Sequence, residues 1–279
     1  MKIRFLTFAP LLALLGLIIF HHAAHALHVP YKRIVFDDTR STDTLTVVND
    51  SATPQTYAMG WTRYRMGGER GALQRIPDNE NIEGVRWADA MISFEPQGFT
   101  LPPGGKQEVR LTLAPQAALE DGEYRAHVLI STTTAIPAEE MKQATAAGYM
   151  TSNISLPLFV HRGHLTAEAQ MSDVTKTKTA KGDGLQLTLK RTGNTSLYGD
   201  VSFTCTGGTE ALLLKTVRGI AVYTEVDERR MHVRLDVPEA RREDCNSMYI
   251  EYKSRPEDAL FHGKTLAGIK LDWPPGGAW

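Results

Sequence analysis

Side chains able to hold a proton, a metal ion or a reactive group are sparse in this chain and poorly grouped. His161-Arg162-Gly163-His164 sets two imidazoles three residues apart. No carboxylate or cysteine lies beside them, and a strand would send the two rings to opposite faces. His21, His22 and His25 cluster by count, yet they fall in an N-terminal apolar segment expected to be removed. The patterns G-x-S-x-G, H-E-x-x-H and the P-loop do not occur. No enzyme, metal site or cofactor is therefore expected. Asp227-Glu228-Arg229-Arg230 reads as a solvated hairpin turn. The two cysteines, Cys205 and Cys245, are 40 residues apart in the C-terminal half. In an exported protein they are expected to form one disulfide, and two distant thiols are too few for a metal site.

Export is written in the first residues. Lys2 and Arg4 precede an apolar run from Phe5 to Phe20, and Ala24-His25-Ala26 supplies a small-x-small cleavage site. Residues 1–26 are thus expected to be a signal peptide cut near Ala26. The run is short for a membrane span, so no stable membrane insertion is expected after cleavage. The expected location is the periplasm. Lys and Arg number 31 against 32 Asp and Glu, without the basic excess that nucleic-acid binding calls for.

The elements carrying these residues are short strands. RIVFD (Arg33 to Asp37), DTLTVVN (Asp43 to Asn49), QTYAMGWTRYR (Gln55 to Arg65), MISFEPQGFTL (Met91 to Leu101), KQEVRLTL (Lys106 to Leu113), EYRAHVLIST (Glu123 to Thr132) and SNISLPLFVHR (Ser152 to Arg162) follow one another. Turn formers separate several of them, as in Pro102-Pro103-Gly104-Gly105. Seven strands at this spacing describe an antiparallel sandwich of immunoglobulin type. Gly67 to Trp87 reads as a loop, and Ala135 to Gly148 as a polar, Ala-rich interruption. After Arg162 the composition changes. Gln170 to Gly184 is read as a linker or a weak first hairpin, and further strand-like runs extend to Trp273. The expected fold class is all-β, with two immunoglobulin-like β-sandwich domains in tandem, residues 27–163 and 164–279.

The first half resembles the PapD-like periplasmic chaperones of pilus subunits. Arg33-Ile34-Val35-Phe36 is similar to the family's opening R-x-V-F strand, and Thr44-Leu45-Thr46-Val47-Val48-Asn49 to its T-L-x-x-x-N strand. Trp61 stands where the third strand carries a Trp. Pro96, Phe99, Leu101, Pro103, Gly104 and Val109-Arg110-Leu111 follow the next pattern, and Leu158-Phe159-Val160-His161-Arg162 the ending of the seventh strand. The similarity covers most of Lys32 to Gly163. The second half matches only in architecture.

The resemblance implies donor-strand complementation of pilin-like fimbrial subunits and their delivery to an outer-membrane usher. A subunit domain that lacks its last strand would receive the chaperone's seventh strand by β-augmentation. Met150, Ser152, Ile154, Leu156 and Leu158 share one parity and form the expected donor face, although the same alternation also suits the chain's own core. Arg33 is implied as the anchor of the subunit's terminal carboxylate, a bidentate contact that a guanidinium suits. The family's second cation, a Lys on the seventh strand, is replaced by Pro157. Lys32, His161 and Arg162 are the nearby basic groups, and Glu123 with His161 or Arg162 is the expected interdomain ion pair. A secreted structural or adhesive pilus-associated sandwich protein is the alternative. The first domain looks complete and is followed by another, which favours the chaperone.

Overall fold

The computed structural model describes residues 33–77, 79–115, 119–135, 149–179, 182–208, 210–235 and 245–272. The expected signal peptide, Lys32 and most of the interruption between Ala135 and Gly148 lie outside the described residues. Strands dominate, and no described helix is long and apolar enough to cross a membrane.

The first sandwich comprises β1 (Ile34–Phe36), β2 (Thr42–Val48), β3 (Gln55–Met66), β4 (Leu73–Ile76), β5 (Ile92–Glu95), β6 (Gly98–Leu101), β7 (Lys106–Leu113), β8 (Gly122–Ala135) and β9 (Tyr149–Arg162). One sheet runs β1-β9-β8-β3-β4 with β6 also on β3, and the other runs β2-β7-β5. Period-two alternation makes these strands: in β7, Val109, Leu111 and Leu113 are buried while Lys106, Glu108 and Arg110 face outward. The layers close on Phe36, Leu45, Val47, Val109, Leu111, Val128, Ile130 and Leu158. Trp61 lies against Phe94 at 4.5 Å between ring centroids. Asn49 is buried, and its amide donates to the carbonyls of Thr53, Leu101 and Pro102.

The second sandwich comprises β10 (Ala167–Thr179), β11 (Gly182–Gly193), β12 (Leu197–Thr206), β13 (Leu212–Val222), β14 (Glu228–Arg234), β15 (Ser247–Ser254) and β16 (Thr265–Asp272). Its sheets run β10-β11-β14 and β13-β12-β15-β16. Leu187, Leu189, Val201, Phe203, Met248, Ile250 and Tyr252 fill the space between them. The Cys205–Cys245 disulfide is present there, with Cα atoms 5.3 Å apart. The fold is two immunoglobulin-like β-sandwiches in tandem.

Three readings of the sequence need correction. Gly67 to Trp87 is not all loop: the chain reverses at Arg70 and Gly71, both at positive φ, and returns as β4 along β3. The run Met91 to Leu101 is two strands, because β5 pairs with β7 in one sheet and β6 with β3 in the other. Of the two readings of Gln170 to Gly184, the hairpin is the one observed, as β10 pairs with β11. Asp227 to Arg230 is no solvated turn, since Arg229 is half-buried and donates to the Ala221 carbonyl at 2.7 Å.

Candidate functional site

The two sandwiches meet along a seam of Met66, Phe159, Tyr198, Ala221 and Tyr223. Pleating explains how β9 serves both sides: Leu156, Leu158 and Val160 point into the first core, while Phe159, of opposite parity, points to the second sandwich. Arg125 on β8 shares the outward parity. Its guanidinium is almost wholly buried and gives Glu225 two hydrogen bonds, at 2.9 and 2.7 Å, and the Tyr64 carbonyl one at 3.0 Å. It also lies 4.2 Å from the centre of the Tyr223 ring. Glu225 in turn accepts the Met66 amide at 2.7 Å. This is the buried ion pair between the sandwiches.

Glu123 and His161 face each other on paired strands of the first sandwich, with Nε2 to Oε2 at 3.5 Å. Their contact lies inside that sandwich and is not the expected interdomain pair. What crosses from Glu123 are hydrogen bonds: its carboxylate accepts the Thr195 hydroxyl at 3.0 Å, the Ser196 amide at 3.1 Å and the Ser196 hydroxyl. Burial acts to raise the Glu123 pKa, but His161, the Arg33 charge and the Ser196 bond outweigh it and hold it at about 2. Arg191 braces the loop that brings those partners, donating to the carbonyls of Gly193, Thr195 and Thr224.

Beside this seam a cleft of ≈ 320 Å³ opens between the sandwiches, lined by Arg33, Val35, His161, Tyr198, Arg255 and Phe261 among others. The Arg33 guanidinium lies 3.8 Å from the centre of the Phe159 ring and 4.5 Å from that of Tyr198. Such stacking holds the planar group by cation–π attraction. Among the described residues no carboxylate comes within ion-pair distance of it. Arg162 turns away from the cleft to Asp38, at 2.5 Å. Of Arg33, Lys32, His161 and Arg162, Arg33 and His161 line the cleft, and Lys32 lies outside the described residues. Pro157 sits opposite His127 on β8.

The edge of β9 completes the site. Along one side β9 pairs with β8 from Tyr149 to Arg162, but along the other β1 covers only Leu158, Phe159 and Val160. From Tyr149 to Pro157 that edge has no strand beside it among the described residues. Ser152 is exposed, Ile154 is half-buried against the core, and Leu156 and Leu158 are buried in it. Two of the five expected donor residues therefore serve the chain's own core. Met150 contributes strand backbone opposite Thr134.

No family model matches the chain, and no curated protein matches its sequence. Among solved structures it is similar to the YadV chaperone, at 8% identity and a TM-score of 0.45, over 88% of this chain and 99% of that one. It is similar to the CupB2 chaperone of Pseudomonas aeruginosa at 13% identity and a TM-score of 0.42, over 88% and 100%. A chain of the CsuC–CsuE chaperone–tip adhesion subunit pre-assembly complex of Acinetobacter baumannii gives 12% and 0.45, over 88% and 98%. Likeness of this degree carries no functional inference, which must come from the residues.

Arg125, Glu225, Arg191 and Arg255 were not singled out from the sequence. Arg125 and His127 share the parity opposite the core face of β8, which by itself reads as a solvent side.

Proposed function

We propose that this chain is a PapD-like periplasmic chaperone that caps pilus subunits by strand donation and passes them to an outer-membrane usher. The observation that carries the reading is the open edge of β9 running toward the Arg33 cleft. An exposed strand edge offers unpaired N–H and C=O groups to a strand-deficient partner. A partner strand laid along Tyr149 to Pro157 would end at the cleft, where Arg33 is held between two rings. There the guanidinium can take a terminal carboxylate in a partly desolvated setting. What this edge offers is backbone, because Leu156 and Leu158 are committed to the core and Ile154 packs against it.

Proline scanning of the edge tests this. Ser152 and Asn153 are neighbours on β9, so one of them turns its amide to β8 and the other to the open edge. Proline in place of the outward amide should leave the melting temperature nearly unchanged and abolish co-purification of a pilus subunit lacking its last strand. Undiminished capture by both proline variants, each still folded, would refute strand donation.

A further inference from the structure

Resting on that reading, we propose that residues 255–263 of the second sandwich, together with Arg33, form a pocket that reads the last residue of the bound strand. Arg33 and Arg255 share its terminal carboxylate, and Val35, Leu260 and Phe261 take an apolar side chain.

The cationic half comes from both sandwiches. Arg255 follows β15 and brings its guanidinium to 5.2 Å from the centre of the same Tyr198 ring that Arg33 approaches to 4.5 Å. Asp200 accepts the Arg255 Nε–H at 3.0 Å, and Glu257 stays 3.8 Å from Nη1, beyond hydrogen-bond length. The group is thus oriented by Asp200 and has Glu257 within ion-pair distance, while neither carboxylate takes a hydrogen bond from its terminal nitrogens. Pro157 supplies no cation from β9, whereas Arg255 lines the cleft.

The acidic residues of the cleft have their oxygens engaged in turns or lie in solvent. Asp37 accepts the amides of Thr39 and Arg40, at 2.8 and 2.9 Å, and the Thr39 hydroxyl at 2.6 Å. Asp258 accepts the amides of Leu260 and Phe261, both at 2.9 Å. Both carboxylates are used in building turns. Glu257 is largely exposed, where water screens it.

The apolar half is preformed. The Asp258 bonds combine with His262 N–H to the Asp258 carbonyl and Gly263 N–H to the Arg255 carbonyl to close residues 255–263 into a compact loop. His262 and Gly263 complete it at positive φ. Leu260 and Phe261 line the cleft together with Val35, and Phe261 is braced against the core of the second sandwich. A volume of ≈ 320 Å³ is at the small end of ligand pockets and fits one chain end better than a longer segment.

The test uses the full chain and a short fluorescein-labelled peptide of alternating valine and threonine that ends in phenylalanine. It is compared by anisotropy with its C-terminal amide and with a version ending in aspartate. The free acid should bind about tenfold or more tighter than the amide. Arg255→Gln should cut that ratio several-fold, and Leu260→Asp should abolish the preference for phenylalanine over aspartate while leaving the acid-to-amide ratio in place. If Arg33→Gln erases the ratio while Arg255→Gln and Leu260→Asp change nothing, the anchor reading stands and this inference falls. If the free acid and the amide bind alike to the unaltered chain, or neither binds, both fall. A thermal melt of each variant confirms that the fold is kept.

Discussion

Breaking the Arg125–Glu225 pair should uncouple the two sandwiches. Both side chains are at most 3% exposed, and Glu225 accepts three hydrogen bonds, two from Arg125 and one from the Met66 amide. Removing one partner strands the other charge in a desolvated seam, which costs about 3–5 kcal/mol. Arg125→Met should therefore lower the stability of the seam by that amount, a factor of about 100 or more in its opening equilibrium. The double variant Arg125→Met, Glu225→Leu should recover most of the loss, since an apolar pair of similar volume is often as good. Native-state hydrogen exchange reads this directly at two amides that cross the seam without touching either residue: Arg230 to the Gly68 carbonyl at 3.0 Å, and Glu123 to the Asn194 carbonyl at 3.1 Å. Both should exchange about a hundredfold faster in the single variant and near the original rate in the double. Purely additive single effects, or a change below about 1 kcal/mol in Arg125→Met, would refute the argument that this pair holds the seam.

Acid should weaken the fold through His127, whose buried ring nitrogens have no hydrogen-bond partner among the described residues and whose pKa is pushed down to about 3 by burial and then by the Arg125 charge. The unfolded chain takes up a proton near pH 6.5 that the folded chain refuses, so stability falls between pH 6.5 and 3, by about 3 kcal/mol at pH 4.5. The unaltered chain and His127→Leu should lose stability with slopes differing by about 1.4 kcal/mol per pH unit in urea titrations, and parallel slopes would refute this. Glu123, held at about 2, acts lower: its contribution is present above about pH 4.5 and is lost as pH falls toward 2. Glu123→Gln should therefore flatten the acid limb below pH 4.5, which a melt series from pH 5 to 2.5 measures. Replacing Cys205 and Cys245 together by Ala should cost about 4 kcal/mol from the 40-residue loop they close, read by denaturant unfolding. Arg33→Ala should cost subunit binding about 2–5 kcal/mol and leave the melting temperature nearly unchanged, read by co-purification of the cognate subunit beside a melt.

Much of this protein follows from local pattern. Strand alternation such as that of Val109, Leu111 and Leu113 requires a buried face and an outer one whatever the neighbours are, so the all-β class can be read along the chain. So can the pairing of two lone cysteines in one half. What pattern cannot say is which layer covers an outer face. The parity of Leu156 and Leu158 was equally consistent with a donated face and an internal one, and only packing shows it internal. Arg125 looked like a strand's solvent side until the second sandwich covered it and brought Glu225, a hundred residues away, to 2.7 Å. The split of Met91 to Leu101 between two sheets and the return of β4 along β3 likewise depend on where partners lie. Arg255 is the clearest case: nothing in its local sequence distinguishes it, and its place beside Arg33 exists because two domains pack with Tyr198 between their guanidiniums and the seam. Period and composition are properties of neighbours in the chain, whereas a cleft between domains is made of residues that only tertiary contacts bring together.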